Sequence, residues 1–417
     1  MPAVKKISLA LFLMIVYVSL FSQPVLETGG KPMPKVWIDK DTHHKITRLS
    51  DSSRSNLSFY FHNDPFFDNK MVYYSTDKIN PQDITVTKQE TYSTVSKDKQ
   101  LYDVDLKTKD IERITSQALP MTGEIVGRKS GDVYYQIKDS VFTTNINTKK
   151  TKLVFIFPPD YEGSITTLNA DETLLAGSKA SDEQKNVYKK NPEKKDYFNL
   201  IYEAKLPNDL FTIELRSKKI NKIHTENTWL GHVQFSPTDP DLLMFCHEGP
   251  WHKVDRIWTI NIKTRKVTLM HKRTMDMEIA GHEFFSTDGK KIYFDLQMPK
   301  GKTFFLAYVD IKSGKEKKYS VTRDEWSIHF AISPNQKLFA GDGGDPGQVA
   351  HATNGEWIYL FKPGGDHLVS EKLVNMKNHH YRLEPNVHFS PDGKWIIFRA
   401  NFEGAENVYE VEISKSE

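Results

Sequence analysis

Short runs of alternating hydrophobic and polar residues, separated by polar turns, fill most of the 417-residue chain. One unit recurs, in which an apolar residue, a turn such as Ser-Pro-Asp-Gly and a hydrophobic run follow one another, as in "FSPDGKWIIFRAN". Such alternation is typical of half-buried strands, and the polar turns are typical of hairpins. Seven of these units begin at Phe66, Val126, Leu168, Phe235, Phe285, Ile332 and Phe389.

Most units are followed by a second pair of strand-like runs, for example "IWTINIKTRKVTLMHK". About four strands per unit, at a period of roughly 40 to 65 residues, are typical of propeller blades. We therefore predict an all-β fold, a seven-bladed β-propeller, with residues 23–417 as one domain. The strand-like "HKITRLS" from His44 is expected to pair with the C-terminal blade and close the ring. A charged insertion, residues 183–197, is predicted to be a solvated loop.

The N-terminus has the order of a secretory signal. Lys5 and Lys6 precede the apolar run "ISLALFLMIVYVSLF", and "SQP" follows it. We predict a signal peptide over residues 1–22, a mature chain from about Gln23, and an exported, periplasmic protein with no membrane contact after cleavage. An uncleaved anchor is the alternative, although the run is short for a bilayer span.

Charge and cysteine content narrow the function further. The chain has 57 Lys and Arg against 54 Asp and Glu, so bulk charge gives no reason to expect nucleic acid as a partner. Cys246 is the single cysteine, which excludes an internal disulfide. A lone thiol usually packs as a small hydrophobic group, and we expect Cys246 to be buried.

Side chains that bind metals and anions are concentrated in the last four units. His232, His282, His329 and His388 each stand just before the strand of a unit, and we predict that their shared phase places them together near the central channel. Glu384, Asn386 and His388 are spaced i, i+2 and i+4, so an extended strand would direct all three to one side. This pattern predicts a row of metal ligands.

The stretches "GHEFFSTDG", "FCHEGP", "DGGD" and "YRLEPNVHFSPDGKWIIF" resemble the oligogalacturonate lyases of polysaccharide lyase family 22, which are seven-bladed propellers. The resemblance covers most of the mature chain. It implies β-elimination of short α-1,4-linked galacturonides to unsaturated uronates, with a small acidic oligosaccharide as substrate. It also implies a divalent ion in the central channel, with Mn²⁺ favoured and Ca²⁺ or Mg²⁺ as alternatives.

The resemblance also implies residue roles. The histidine of "FCHEGP", His247, would be the base that removes the C5 proton, with His252 as its rival, and the histidine of "GHEF", His282, would bind the metal. The family's Gln-x-x-His-x-His pattern falls on Tyr381, Glu384 and Asn386, where this chain differs by offering oxygen donors. The predicted metal ligands are His282, Glu384, Asn386 and His388, and the predicted substrate-binding residues are His232, Arg256, His329, Gln348 and Arg382.

The chemistry agrees with these residue types. Removing a proton beside a uronate carboxylate creates an enediolate-like dianion, so a neutral histidine as base and a cation at the carboxylate are both needed. The alternative is a non-catalytic exported propeller of the TolB type that binds or scaffolds other proteins. That alternative predicts scattered polar residues in the channel instead of histidines in phase.

Overall fold

A computed structural model describes residues 23–78 and 99–415, so the predicted signal peptide lies outside the described residues. The chain begins with β1 (Val25–Leu26), β2 (Val36–Asp39) and β3 (His44–Arg48). Blade 1 follows with β4 (Arg54–Leu57), β5 (Phe66–Phe67), β6 (Lys70–Lys78), β7 (Gln100–Asp105) and β8 (Ile111–Arg113). Blade 2 contains β9 (Thr122–Val126), β10 (Asp132–Ile137), β11 (Ser140–Asn145) and β12 (Thr151–Ile156).

Blade 3 is interrupted by two helices and contains β13 (Ser164–Leu168), β14 (Leu174–Ala180), α1 (Asp182–Lys190), α2 (Lys194–Ala204), β15 (Asn208–Glu214) and β16 (Ile220–Glu226). Blade 4 contains β17 (Leu230–Phe235), β18 (Leu242–His247), β19 (Ile257–Asn261) and β20 (Val267–Leu269). Blade 5 contains β21 (Ile279–Phe285), β22 (Lys291–Gln297), β23 (Phe305–Asp310) and β24 (Glu316–Ser320), and a short 3-10 helix, Arg323–Glu325, follows it.

Blade 6 contains β25 (Phe330–Ile332), β26 (Phe339–Gly341), β27 (Trp357–Pro363) and β28 (Leu368–Asn375). Blade 7 contains β29 (His388–Phe389), β30 (Trp395–Ala400) and β31 (Asn407–Lys415). The seven sheets confirm the predicted propeller, and each predicted unit belongs to its own blade. No helix of the described residues is long and apolar enough to cross a membrane.

The ring closes as predicted, through pairing of the first strands with the last blade. Strand β3 runs antiparallel to β31, with Ile46 opposite Val411, and β2 and β1 extend the same sheet. Trp37 of β2 is fully buried and packs edge-on against Tyr409 of β31. The closing strands therefore contribute to the hydrophobic core of blade 7.

The charged insertion is helical, and the prediction of a solvated loop was wrong. The side chain of Ser181 accepts a hydrogen bond from the amide of Gln184 and caps α1, whose first turn is acidic and whose last turn is basic. Tyr188 and Tyr197 pack on one another and on Trp229, just before β17. Aromatic side chains within a charged segment thus anchor the helices beside blade 4.

The core lies between blades, because alternate side chains of each inner strand point to opposite neighbours. In β18, Met244 packs towards blade 5 with Phe294, whereas Phe245 packs towards blade 3 with Leu210. Cys246 is fully buried, as predicted. This alternation decides where the polar residues that follow Cys246 can reach.

Candidate active site

Two histidines enter the central channel from β-bulges in the first strands of blades 4 and 5. The pairing of β17 with β18 shifts between Gly231 and Gln234, and that of β21 with β22 shifts between Gly281 and Phe284. The residue in each bulge is in the left-handed region, with φ of 47° at His232 and 50° at His282. A bulge inserts one residue and re-aims its side chain, which here directs both imidazoles into the channel.

Blades 5 and 6 carry matching pairs of histidine and aspartate. The Nδ1 atom of His282 lies 2.8 Å from Oδ1 of Asp295, and Nδ1 of His329 lies 2.8 Å from Oδ2 of Asp342. The two imidazole rings meet edge to face with centroids 4.8 Å apart. Each carboxylate thus orients its ring and leaves Nε2 directed away from the aspartate.

The surroundings shift the imidazole pKa in opposite directions in the two pairs. Burial lowers the pKa of His329 well below its ordinary value, and the neighbouring His282 lowers it further. Burial would also lower the pKa of His282, but the carboxylate of Asp295 outweighs it and the pKa is raised. The same two-residue arrangement therefore has a lowered imidazole pKa in blade 6 and a raised one in blade 5.

Glu384 completes the arrangement with an oxygen donor. Its Oε2 lies 3.7 Å from Nε2 of His329, a buried atom with no hydrogen-bond partner among the described residues. Its side chain is 42% exposed and has room to turn. Across the described ranges, no three His, Cys, Asp or Glu side chains already form a group that could hold a metal ion. We call His232, His282, His329 and Glu384 the channel cluster.

His232 is held by a buried network of charges. Its Nε2 lies 3.1 Å from Oε1 of Glu248, and Glu248 also contacts Arg256, which reaches Glu283 on its other side. Burial would raise the pKa of Glu248, but Arg256 and His232 outweigh it and hold the pKa far below its ordinary value. Arg256 is therefore occupied by two carboxylates, and its role in binding a substrate carboxylate stays a prediction that these contacts do not support.

Residues 58–64 run through the channel between its two ends. The ring of Phe61 stacks on His329 at 4.6 Å, and Tyr60 packs edge-on against the same imidazole at 5.2 Å. The amide of Phe61 donates to Oδ1 of Asn386, and Nδ2 of Asn386 donates to the carbonyl of Glu384. The side chain of Asn386 thus forms hydrogen bonds to backbone groups. Of the predicted ligands Glu384 and Asn386, this leaves Glu384 as the candidate for binding a metal.

The predicted row of ligands on one strand was wrong. Asn386 has a φ of 54°, so residues 384–388 are not continuously extended, and the strand begins only at His388. His388 turns to the other end of the channel, where its Nε2 lies 3.2 Å from the carbonyl of Asn63. Counted back from the turn serine, Asn386 and not His388 occupies the phase of His232, His282 and His329.

His247 lies outside the channel cluster. It follows Phe245 on the face of β18 that points to blade 3, and its Nε2 lies 3.1 Å from Oε2 of Glu226. Nε2 of His224 lies 3.1 Å from the same oxygen, and Trp258 stacks on the imidazole of His247 at 4.7 Å. We call His224, Glu226 and His247 the interblade cluster. The role of His247 as a base stays a prediction that these contacts do not support.

The remaining predicted residues are dispersed. Nε2 of Gln348 donates to the carbonyl of Tyr381, and Arg382 is exposed, with its amide donating to Nδ1 of His380. The carbonyl of His252, the rival base, accepts a hydrogen bond from Arg273. None of these contacts joins Gln348, Arg382 or His252 to the channel cluster.

Two residues at the channel were missed by sequence reasoning. Arg399, partly exposed on β30, donates from Nε to the carbonyl of Glu384 and from Nη1 to the carbonyl of Ser58, and no ion pair to a carboxylate is found for it in the described part of the chain. Trp251 is also partly exposed and packs edge-on against His282 at 5.3 Å. A Cβ atom on Gly281 would lie 2.7 Å from the ring of Trp251, so a glycine is needed for this approach.

The fold and the channel define a class of protein: a seven-bladed propeller whose channel collects imidazoles, each oriented by a carboxylate, beside an arginine that makes no close ion pair among the described residues. The family model described as "Oligogalacturonate lyase" matches residues 91–417. Curated relatives include the oligogalacturonide lyase of Pectobacterium atrosepticum, 25% identical, and the oligogalacturonate lyase of Dickeya dadantii, 26% identical. Each match covers 76% of this chain and 83% of the relative.

Solved structures show the same fold. An oligogalacturonate lyase described as in complex with manganese is 20% identical, with a TM-score of 0.73 over 91% of this chain and 96% of the other. An oligogalacturonate lyase from Vibrio parahaemolyticus is 18% identical, with the same TM-score and the same coverage of both chains. Because the family model spans most of its length, the chain belongs to the oligogalacturonate lyase family and is an oligosaccharide lyase.

Proposed function

We propose that the channel cluster cleaves short α-1,4-linked galacturonides by β-elimination and releases unsaturated uronates. The observation that carries this proposal is the pair of aspartate-oriented imidazoles, His282 and His329, with Glu384 beside His329. Tyr60 links this pair to His232, because its ring contacts both His329 and His232. Elimination requires a base for the C5 proton and positive charge at the neighbouring carboxylate. The channel offers candidates for both.

His232 is the proposed base. We assign the tautomer that carries its hydrogen on Nε2, the atom 3.1 Å from Oε1 of Glu248, which leaves the lone pair of Nδ1 available to accept a proton. A carboxylate behind the imidazole orients it and stabilises the imidazolium that forms. As the C5–H bond breaks, its electron pair forms the C4=C5 double bond and the C4–O4 bond breaks. The departing oxygen then takes a proton from solvent.

Arg399 is the proposed partner of the substrate carboxylate. Partial burial lowers the pKa of its guanidinium, and the nearby carboxylates of Glu124, Glu384 and Glu406 do not fully offset this. Its donors reach two backbone carbonyls, and the described residues give it no ion pair to a carboxylate. A uronate carboxylate would add the direct ion pair that the guanidinium lacks among the described residues.

His282, His329 and Glu384 would hold a divalent cation. The donor set fits, because Nε2 of His329 is buried without a partner among the described residues and both rings are oriented through Nδ1 by aspartates. Two imidazoles and one carboxylate suit Mn²⁺ better than Ca²⁺ or Mg²⁺, which prefer oxygen ligands alone. The cation would supply Lewis-acid neutralisation of the substrate carboxylate.

The test is the appearance of the unsaturated product, followed by its ultraviolet absorbance, on a panel of galacturonide dimers to hexamers. We expect product formation that a chelator suppresses and added Mn²⁺ restores. The same panel with reduced, uncharged carboxyl groups should give no product, because the proposal requires a carboxylate beside C5. Activity on the uncharged panel would contradict the proposed mechanism.

We also propose that the chain is exported, on the basis of the basic and apolar N-terminal run. Fractionation of cells that express the full chain, with mass spectrometry of the mature N-terminus, tests this. A mature N-terminus near Gln23 in the exported fraction is expected, whereas an intact N-terminus in the cytosol would contradict it.

A further inference from the structure

Tyr60 is a polar side chain in the channel to which the proposed function assigns no chemical role. Its ring lies between two members of the channel cluster, with its centroid 5.2 Å from that of His329 and 6.2 Å from that of His232. It also packs edge-on against His62 at 4.9 Å. The amide of Tyr60 donates to Oε2 of Glu124 at 2.7 Å. Ring and backbone are therefore both held, which fixes the direction of the phenol.

The hydroxyl of Tyr60 is available to a ligand. Within residues 23–78 and 99–415, Tyr60 forms hydrogen bonds only through its backbone, and its side chain is partly exposed. It differs in this from Tyr381, whose hydroxyl also lacks a partner among the described residues but is buried. A phenol has an ordinary pKa of about 10, so it is a hydrogen-bond donor at neutral pH.

This hydroxyl is located among the charged groups of the channel. Burial raises the pKa of Tyr60 most, and the carboxylates of Glu384 and Glu283 raise it further. Burial also lowers the pKa of Arg399, and Tyr60 is one of the groups that act against this shift. The phenol therefore lies within electrostatic reach of both the candidate metal ligand Glu384 and the proposed partner of the substrate carboxylate, Arg399.

Arg399 is bound to the same segment of the chain as Tyr60. Its Nη1 donates to the carbonyl of Ser58 at 3.0 Å, two residues before Tyr60, and its Nε donates to the carbonyl of Glu384 at 2.8 Å. The guanidinium thus holds the segment that carries Tyr60 against the one that carries Glu384. A carboxylate has about four lone-pair sites and accepts from several donors at once. The phenol and the guanidinium are therefore neighbouring donors suited to one anion.

We propose that the hydroxyl of Tyr60, together with Arg399, donates a hydrogen bond to the substrate carboxylate beside C5. This inference rests on the proposed function and adds a residue to it. When the C5 proton moves to His232, the electron pair of the C5–H bond spreads onto the carboxylate before it forms the C4=C5 double bond. A hydrogen bond to those oxygens strengthens as their negative charge grows. Tyr60 keeps its proton and acts mainly on the rate of elimination, and less on substrate binding.

The experiment is steady-state kinetics of Tyr60→Phe, as the mature chain with Mn²⁺, on trigalacturonate. Phenylalanine keeps the ring and the amide bond to Glu124 and removes only the hydroxyl. We expect kcat to fall about 10²-fold, the scale for loss of one donor to a developing anion, with a modest change in KM. Tyr308→Phe, on the third strand of blade 5, removes a hydroxyl outside the channel cluster. It is the matched control and should equal the wild type.

A double-mutant cycle tests whether Tyr60 and Arg399 act on the same carboxylate. If the two residues act independently, the losses in kcat/KM of Tyr60→Phe and Arg399→Gln multiply in the double variant. Because both are assigned to one anion, we expect the double variant to differ from that product by more than about threefold. Losses that simply multiply would overturn the shared carboxylate.

The activity of the wild type separates this inference from the proposed function. If the wild type forms no product, the proposed function fails and this inference fails with it. If the wild type is active and folded Tyr60→Phe turns over equally fast, this inference alone is overturned.

A crystal structure of His232→Ala with trigalacturonate decides the case in which Tyr60→Phe does not fold by circular dichroism. We expect a carboxylate oxygen of the substrate within about 3 Å of the Tyr60 hydroxyl. Bound substrate whose carboxylates all lie away from this hydroxyl would overturn the inference.

Discussion

His232 and His247 belong to the same blade, on neighbouring strands, yet they reach two different regions of the molecule. His232 stands in a bulge of β17 and enters the channel, with its side chain 32% exposed. His247 ends the regular strand β18, whose alternation turns it to blade 3, where Glu226 and Trp258 enclose it. Each imidazole has a carboxylate partner at 3.1 Å.

The difference between these histidines lies in what surrounds each carboxylate. In the channel, Glu248 is buried and also pairs with Arg256, so the carboxylate is fixed behind His232. In the interblade cluster, Glu226 is 40% exposed and two histidines share one oxygen. Both regions therefore contain a histidine with a carboxylate partner. What makes His232 a candidate base, and His247 a structural contact, is that only His232 reaches the channel.

The largest expected effect separates the two histidines directly. Loss of a positioned general base typically costs about 10²- to 10⁴-fold in rate. We expect His232→Ala to lose turnover on that scale with a modest change in KM, because a base acts mainly in the transition state. His247→Ala should stay within a few-fold of wild type. Steady-state kinetics on trigalacturonate would contradict this comparison if His247→Ala were inactive and His232→Ala were not.

A second prediction concerns the aspartates behind the channel histidines. Replacement of an outer carboxylate that orients a metal-binding histidine typically weakens metal affinity about 10- to 100-fold. Asp295→Asn should therefore raise the Kd for Mn²⁺ by that factor, as measured by calorimetric titration of metal-free protein. His224→Ala, in the interblade cluster, is the control and should leave the Kd unchanged. Equal weakening in both variants would assign the ion to neither cluster.

A third, comparable or smaller effect is expected at Arg399. Hydrogen bonds to charged groups contribute about 1.5–3 kcal/mol, which corresponds to roughly 10- to 150-fold in binding. Arg399→Gln should raise KM for galacturonides within this range, and Arg382→Gln, at an exposed position, should have little effect. The assignment fails if KM rises only in Arg382→Gln.

The smallest effect is on stability, in the interblade cluster. Hydrogen bonds from His224 and then His247 lower the pKa of Glu226 to about 2 from its ordinary 4.5. A depressed pKa stabilises the fold above the unfolded value, and this stabilisation is lost as pH falls from about 4.5 towards 2. Because Glu226 is 40% exposed, we expect less than about 1 kcal/mol.

Acid titration of Glu226→Gln measures this contribution. Chemical unfolding of the wild type and the variant should differ above pH 5 and converge as the pH falls towards 2. The matched carboxylate control is Glu371→Gln, on the outer strand of blade 6, because Glu371 is 41% exposed and also lies beside a histidine, His44. A constant difference between wild type and Glu226→Gln at all pH values would exclude titration of Glu226 as the cause.

The sequence was sufficient for the blades because the turn and the alternation of each unit are local signals. The two helices were not predicted because the many charges of residues 183–197 indicated a solvated loop. The contacts of Tyr188 and Tyr197 with Trp229 are tertiary and cannot be read from the local sequence pattern. Residues 384–388 were predicted as an extended row because alternation assumes φ near −120°, and the left-handed Asn386 breaks that assumption.

A spacing of 13 residues between the first and second strands of a blade is a sequence signal for the site that the analysed motifs did not include. Asp295 lies 13 residues after His282, and Asp342 lies 13 residues after His329. Arg399 stands at the same distance from Asn386, since 399 − 386 = 13. This spacing joins the first strand of a blade to the second across one turn, so it would have predicted both His–Asp pairs and marked Arg399. Alternation along β18 places His247 on the same side as Phe245, but which neighbouring blade that side faces is set by tertiary packing and could not be predicted.

The pairing of β3 with β31 delays ring closure in the newly made chain. Ile46 of β3 pairs with Val411 of β31, so about 365 residues have to be synthesised after Ile46 before its partner exists. At about 5–20 residues per second, that interval is on the order of 20 to 70 seconds. During this time β3 is an open strand edge whose natural partner is still missing, and such edges invite pairing with other chains. Until β31 pairs with β3 and completes the ring, the edge of β3 is therefore a site at which the newly made chain can aggregate.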